Sequence, residues 1–257
     1  MLTTDTKIEK IVGIGPKMAK RLNKLGIETV LDFLYHFPFR YDDFSKITPI
    51  SQLRSFGSYC IKAKILQIKT QRSPKKRMFL ITALLSDETG SCKAIWYNQP
   101  FLSRILKRGQ EVILAGKMEY GPGGLFLQNP AWEKAGAKTL HTGRIIPVYP
   151  ETRGVTSKFL RKITFPLLPL TSQIPEFLPK EVIKNQGLID LDKALKQIHF
   201  PESQDEIKKA RGRLAFDELF LIQLKLLLMK KQWQKEAASK IEFDLESVKK
   251  LVINQKY

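Results

Sequence analysis

Cysteine and histidine are the scarce residues of this 257-residue sequence, with two of the first and three of the second. Two cysteines, Cys60 and Cys92, are too few for a secreted disulfide scaffold and fit a reducing compartment. The histidines, His36, His141 and His199, are scattered between elements, and no His-Glu-x-x-His or paired Cys-x-x-Cys spacing occurs. Gly-x-Ser-x-Gly and the Gly-x-x-x-x-Gly-Lys-Ser/Thr phosphate loop are absent as well. The sequence therefore assembles no nucleophile, acid–base pair, metal site or nucleotide cradle, and no catalytic residue, metal or cofactor is expected within it. Long hydrophobic runs are also missing. The most apolar stretch, Leu219 to Met229, is broken by Gln223 and Lys225 and is too short to span a bilayer. The opening residues contain no signal-peptide core, so the expected location is cytoplasmic, without a membrane partner.

Acidic residues are in deficit: 25 Asp+Glu stand against 44 Lys+Arg, a net charge of +19. That imbalance implies a polyanionic partner. Its distribution narrows the inference, because residues 51–140 alone hold 15 of the basic and 5 of the acidic side chains. Charge carried only for solubility would be spread more evenly. A nucleic-acid face within this stretch explains the concentration better than a solvated surface does.

Patterning divides the chain into four parts. Residues 1–50 read as short helices, 51–140 as a strand-rich domain, 141–204 as a Pro-rich connector with a helix, and 205–257 as a long linker helix and its continuation. In the second part, strands are expected over 58–69, 77–86, 91–97, 110–119 and 125–128, with a short helix over 100–108 before the fourth. The order β-β-β-α-β-β with a Gly-rich last hairpin is that of the OB-fold, a five-stranded barrel that binds oligonucleotides. The fold class is thus α+β, a barrel flanked by an N-terminal helical segment and C-terminal helices.

Candidate contacts follow from strand parity. Along 91–97 alternation places Cys92, Ala94 and Trp96 on one face, and Lys93, Ile95 and Tyr97 on the other. Small residues beside Trp96 mark the interior, so Tyr97 points outward, and Phe101 follows on the same rim. Aromatic rings stack on bases irrespective of sequence, which makes Tyr97 and Phe101 the stacking candidates, although burial is the ordinary fate of any single ring. Arg72, Lys75, Lys76 and Arg77 in the first hairpin loop, Lys93, and the pair Lys107-Arg108 offer phosphate contacts. Near the N-terminus, Gly13 and Gly15 precede a helix opened by Pro16, with Lys17 and Lys20 close behind. This turn reads equally as half of a helix-hairpin-helix phosphate site and as a tight turn that only packs against its neighbour.

Five segments then carry a family resemblance: GIGPKMAKRLNKLGIETVLDFLYHFPFRY (13–41), DETGSCKAIWYNQPFL (87–102), RIIPVYPETRGVTSKFLRKI (144–163), IHFPES (198–203) and RGRLAFDELFLIQLKLLLMKKQ (211–232). In this order they resemble the N-terminal region of the RecG-type branched-DNA helicases. The resemblance implies a wedge that splits replication forks and Holliday junctions while motor domains, using ATP and Mg, pull duplex DNA. It also implies that Tyr97 and Phe101, with Trp96 beside them, meet the bases at the branch point. No motor motif is present, so this chain alone is expected to be inactive, with branched DNA and a motor in cis as its partners. Two other readings stand beside this one. A stand-alone single-strand or RNA-binding OB module would account for residues 51–140 but not for the long helix. An adaptor using that helix would leave the basic charge incidental.

Overall fold

The computed structural model describes residues 2–72, 78–121, 123–136, 139–234, 244 and 246. Its centre is a closed barrel of five strands: β2 (Ser58–Arg72), β3 (Phe79–Ser86), β4 (Ser91–Tyr97), β5 (Glu111–Gly121) and β6 (Gly124–Lys134). The strand order around the barrel is β2-β3-β4-β6-β5, antiparallel except where β4 runs parallel to β6. Closure removes free sheet edges. A helix, α3 (Leu102–Ile105), follows β4 and sends Leu102, together with Leu106 just beyond it, into the barrel core.

The interior is filled by alternate residues of each strand, as a period of two requires. Ile81 faces Trp96, Ala83 faces Ala94 and Leu85 faces Cys92 across β3 and β4, and all six are buried. Two expected elements differ most in extent. The last strand runs to Lys134 rather than stopping at Gln128, although Asn129-Pro130 reads as a break. Asn129 takes a left-handed φ of 43° and the β5–β6 register shifts between Ala115 and Lys117. Gly116 makes room there, because a Cβ on it would lie 3.0 Å from Pro130. The bulge keeps the strand going through a residue that cannot donate to the ladder. The helix after β4 is shorter than the expected 100–108, so Lys107 and Arg108 lie in the turn that follows it.

The segments before and after the barrel share a second core. The N-terminal helices α1 (Pro16–Asn23) and α2 (Val30–Tyr35) bury Leu22, Val30, Phe33 and Leu34 against Tyr149 and against Leu160, Ile163 and Leu167 of α4 (Ser157–Leu167). A two-stranded antiparallel sheet fastens the same segments, pairing β1 (Arg40–Asp43) with β7 (Ile145–Val148). Helix α2 opens with a capping box in which the Thr29 hydroxyl accepts from the Asp32 amide and the Asp32 carboxylate accepts from the Thr29 amide.

Helices α5 (Lys180–Asn185) and α6 (Leu191–His199) occupy the region expected as one helix, parted by Gly187 at a φ of 60°. His199 closes α6 in full burial, with Nε2 2.8 Å from the Leu34 carbonyl and Nδ1 2.9 Å from the Tyr149 hydroxyl. Helix α7 (Gln204–Trp233) follows. Arg213 on it is fully buried; its Nη1 and Nη2 donate to the two oxygens of Glu176, and Nη1 also donates to the Ile189 carbonyl. Burial alone would raise the Glu176 pKa, but the guanidinium and the amides of Leu191 and Leu178 outweigh it and hold the carboxyl at about 2. The chain divides into two compact units, residues 1–213 and 214–257. In the second, α7 exposes Leu219, Leu221, Ile222, Leu226, Leu227 and Leu228.

Candidate nucleic-acid interface

Cross-strand register sets the outer face of the barrel. Gln71, Leu80 and Tyr97 form one row across β2, β3 and β4; Lys69, Thr82, Ile95 and Gln128 form the next; Lys93 lies between Leu84 and Phe126 in a third. Tyr97 is half-buried, and its amide donates to Asn129 Oδ1 at 2.9 Å, which ties the end of β4 to the bulge in β6. Phe101, at the start of α3, is 52% exposed. Trp96 is different. The indole is buried, and its Nε1–H donates to the Pro130 carbonyl at 2.8 Å. No face of that ring is open to a base, so of the three aromatics grouped at this corner Trp96 belongs to the core, where alternation with Cys92 and Ala94 puts it.

The cations fall into separate places. Arg72 ends β2 on the same rim, its guanidinium 5.8 Å from the centroid of the Phe79 ring. Lys93 lies on the outer face, where its ammonium donates to the Gly123 carbonyl at 3.1 Å and steadies the β5–β6 turn. Lys107 and Arg108 are exposed, but their turn is bound to the middle of β2 through the Gly109 amide and the Ile65 carbonyl, 2.7 Å apart. They therefore sit away from the row that holds Tyr97. Lys75, Lys76 and Arg77 lie outside the described residues.

Phe79 was not singled out by sequence because it opens an apolar run that reads as core. It faces Arg72 on β2, and its backbone exchanges hydrogen bonds with Asn98. At the N-terminus, Gly13 has a φ of 95°, and a Cβ there would lie 3.7 Å from Ile163 of α4. Gly15 caps α1, with the amides of Met18 and Ala19 on its carbonyl, while Lys17 and Lys20 are exposed. The turn thus packs on α4 and presents two cations to solvent.

Nothing in the thiols competes with a binding role. Burial pushes Cys92 up to about 12, with Asp87 adding to the effect, and burial raises Cys60 as well, so both stay protonated and unreactive at neutral pH. A cavity of about 460 Å³ lined by Pro49, Lys62, Lys64, Asp87 and Glu111 lies at the β3–β4 turn, the far end of β4 from Tyr97. It carries both signs of charge and is separate from the cationic, aromatic rim. Among the described residues no group of three or more His, Cys, Asp and Glu could hold a metal ion, and no helix is long and apolar enough to cross a membrane.

A closed barrel of this strand order, with a helix between its third and fourth strands, is an OB-fold. Residues 7–170 match the model of the RecG wedge domain. The chain belongs to that family. It is 33% identical over 239 residues to the ATP-dependent DNA helicase RecG of Thermotoga maritima, covering 91% of this chain and 30% of that protein. The Synechocystis helicase of the same name is 30% identical over 252 residues, covering 92% and 30%. Among solved structures, RecG bound to a three-way DNA junction matches all of this chain and 35% of its own, with a TM-score of 0.79 and 29% identity. The chain thus spans about a third of the length of the relatives it matches.

Proposed function

We propose that this chain is the junction-holding wedge and linker of a RecG-like ATP-dependent DNA helicase that remodels stalled replication forks and Holliday junctions. The observation that carries the reading is the rim of the barrel. There half-buried Tyr97 and exposed Phe101 lie at the end of β4, with Lys93 on the same strand and Arg72 and Lys69 on β2, across β3. Rings of this kind take up unpaired bases, and the cations neutralise phosphates without reading sequence. Tyr97 and Phe101 stack on bases at the branch point. Arg72, Lys75, Lys76, Arg77 and Lys93 bind the backbone of the separated strand, and Lys107 and Arg108 meet a more distant part of the duplex. Gly13, Gly15, Lys17 and Lys20 form a secondary phosphate contact.

The division of labour is that residues 51–140 hold the junction, 1–50 and 141–204 brace the barrel, and 205–257 connect it to a motor in cis. ATP and Mg belong to that motor, which works on DNA in the cytoplasm, and the wedge by itself unwinds nothing. Fluorescence anisotropy with a labelled fork, a duplex and a single strand at one fixed salt concentration tests the assignment. The fork is expected to bind tightest. Equal or tighter binding of the single strand would favour a plain OB module, and weak binding to all three would remove DNA as the partner.

A further inference from the structure

The rim carries one exposed ring that Tyr97 and Phe101 do not account for. Phe79 opens β3, is 38% exposed, and has the Arg72 guanidinium 5.8 Å from its ring centroid. Its backbone is held by two hydrogen bonds to one residue: the Asn98 amide donates to the Phe79 carbonyl at 2.8 Å, and the Phe79 amide donates to Asn98 Oδ1 at 3.2 Å. Asn98 does this from a left-handed φ of 55°, which a short polar side chain tolerates and a bulky one does not.

Parity separates this ring from Tyr97. Leu80 registers with Tyr97 on the outer face, so Phe79, one residue earlier, has the parity of Ile81, Ala83 and Leu85, which fill the barrel. It lies past the last of those core residues, at the barrel mouth, and is therefore exposed where they are buried. The two rings flank the β3–β4 edge from opposite sides. An aromatic surface with a guanidinium nearby is suited to a base and the phosphate attached to it.

We infer that Phe79, backed by Arg72, is a third base-stacking position. It serves the strand that passes on the mouth side of the rim while Tyr97 serves the strand on the outer side, and Asn98 is the positioning residue that fixes one against the other. This rests on the junction-binding reading.

The test uses the 257-residue chain and three-way junctions with 2-aminopurine at the first unpaired position of either arm. Phe79→Ala is expected to weaken junction binding by about 5- to 150-fold, the equivalent of one stacked base. It should also change the fluorescence of the probe on one arm, and Tyr97→Ala that on the other. Phe79→Trp should keep the affinity and Phe79→Leu should lose it, with matching melting curves showing that the fold is intact. Asn98→Gly keeps the left-handed backbone but lacks Oδ1, and should weaken binding without adding to the effect of Phe79→Ala. If Phe79→Ala or Phe79→Leu binds like the unmodified chain while Tyr97→Ala is weakened, the third position is wrong and the junction-binding reading survives. Both variants changing the same probe would overturn the two-sided arrangement. Full affinity in Phe79→Ala and Tyr97→Ala together would overturn both readings.

Discussion

Trp96→Phe separates core from contact at the corner where the two are adjacent. The indole is 1% exposed, packs among Ile81, Ala94 and Leu102, and gives its only donor to the Pro130 carbonyl at 2.8 Å. Phenylalanine keeps most of the apolar contact but strands that carbonyl inside the barrel, at a cost of about 1–3 kcal/mol. Trp96→Ala adds the loss of the ring and the void it leaves, bringing the total to about 3–5 kcal/mol. In urea the midpoint should fall in the order unmodified, Phe, Ala with no change in slope, because the same surface is exposed on unfolding. Measured well below those midpoints, junction affinity should be the same for Trp96→Phe and the unmodified chain. A Trp96→Phe variant as stable as the unmodified chain but weakened in DNA binding would show that the indole contacts DNA and would overturn its placement in the core.

Acid should destabilise the folded chain through its buried histidines. Burial lowers His199 to about 4, helped by nearby His36 and opposed by the Leu34 carbonyl; burial and Arg161 together lower His141 to about 4. The unfolded chain takes up these protons near pH 6.5 and the folded chain does not, so stability is lost as the pH falls from about 6.5 towards 4, by at most about 1.4 kcal/mol per pH unit for each histidine. A urea midpoint constant across that window would contradict the buried, neutral state of both rings. Glu176→Ala should cost about 3–5 kcal/mol in thermal or urea unfolding, because it takes the carboxylate from the buried Arg213 guanidinium; a cost under about 1 kcal/mol would mean the pair behaves as a surface contact. Arg72→Ala should weaken fork, duplex and single-strand binding and reduce the log–log salt slope by about 0.7–0.9, the share of one phosphate contact. An unchanged slope would remove Arg72 from the interface.

What the sequence alone reveals is local. The alternation of Cys92, Ala94 and Trp96 against Lys93, Ile95 and Tyr97 settles which face of β4 is inside, because small residues beside a large ring leave it room and a period of two does the rest. The long helix α7 was legible as well, since nothing between Gln204 and Trp233 stops a helix except Gly212, which a long helix tolerates. The shared core of α1, α2 and α4 was not. It joins residues more than a hundred positions apart, and no short-range pattern records which distant segment covers an apolar face. Helix α4 was hidden by the prolines around it, although its Thr156 cap, accepting from the Phe159 amide, is an ordinary start signal and Pro166 falls only near its end. Phe79 was missed for a different reason. Its parity is that of a core residue, and only its register opposite Asn98 reveals that the barrel interior ends before it.

The most direct measurement is anisotropy of a labelled three-way junction and a matched plain duplex with the Tyr97→Ala, Phe101→Ala double variant across a salt series. If these rings meet bases at the branch point, junction affinity falls by about 5-fold or more for each ring lost, duplex affinity stays where it was, and the salt slope is unchanged because no phosphate contact has been removed. Equal junction affinity before and after the substitutions, or an equal loss on junction and duplex, would contradict it.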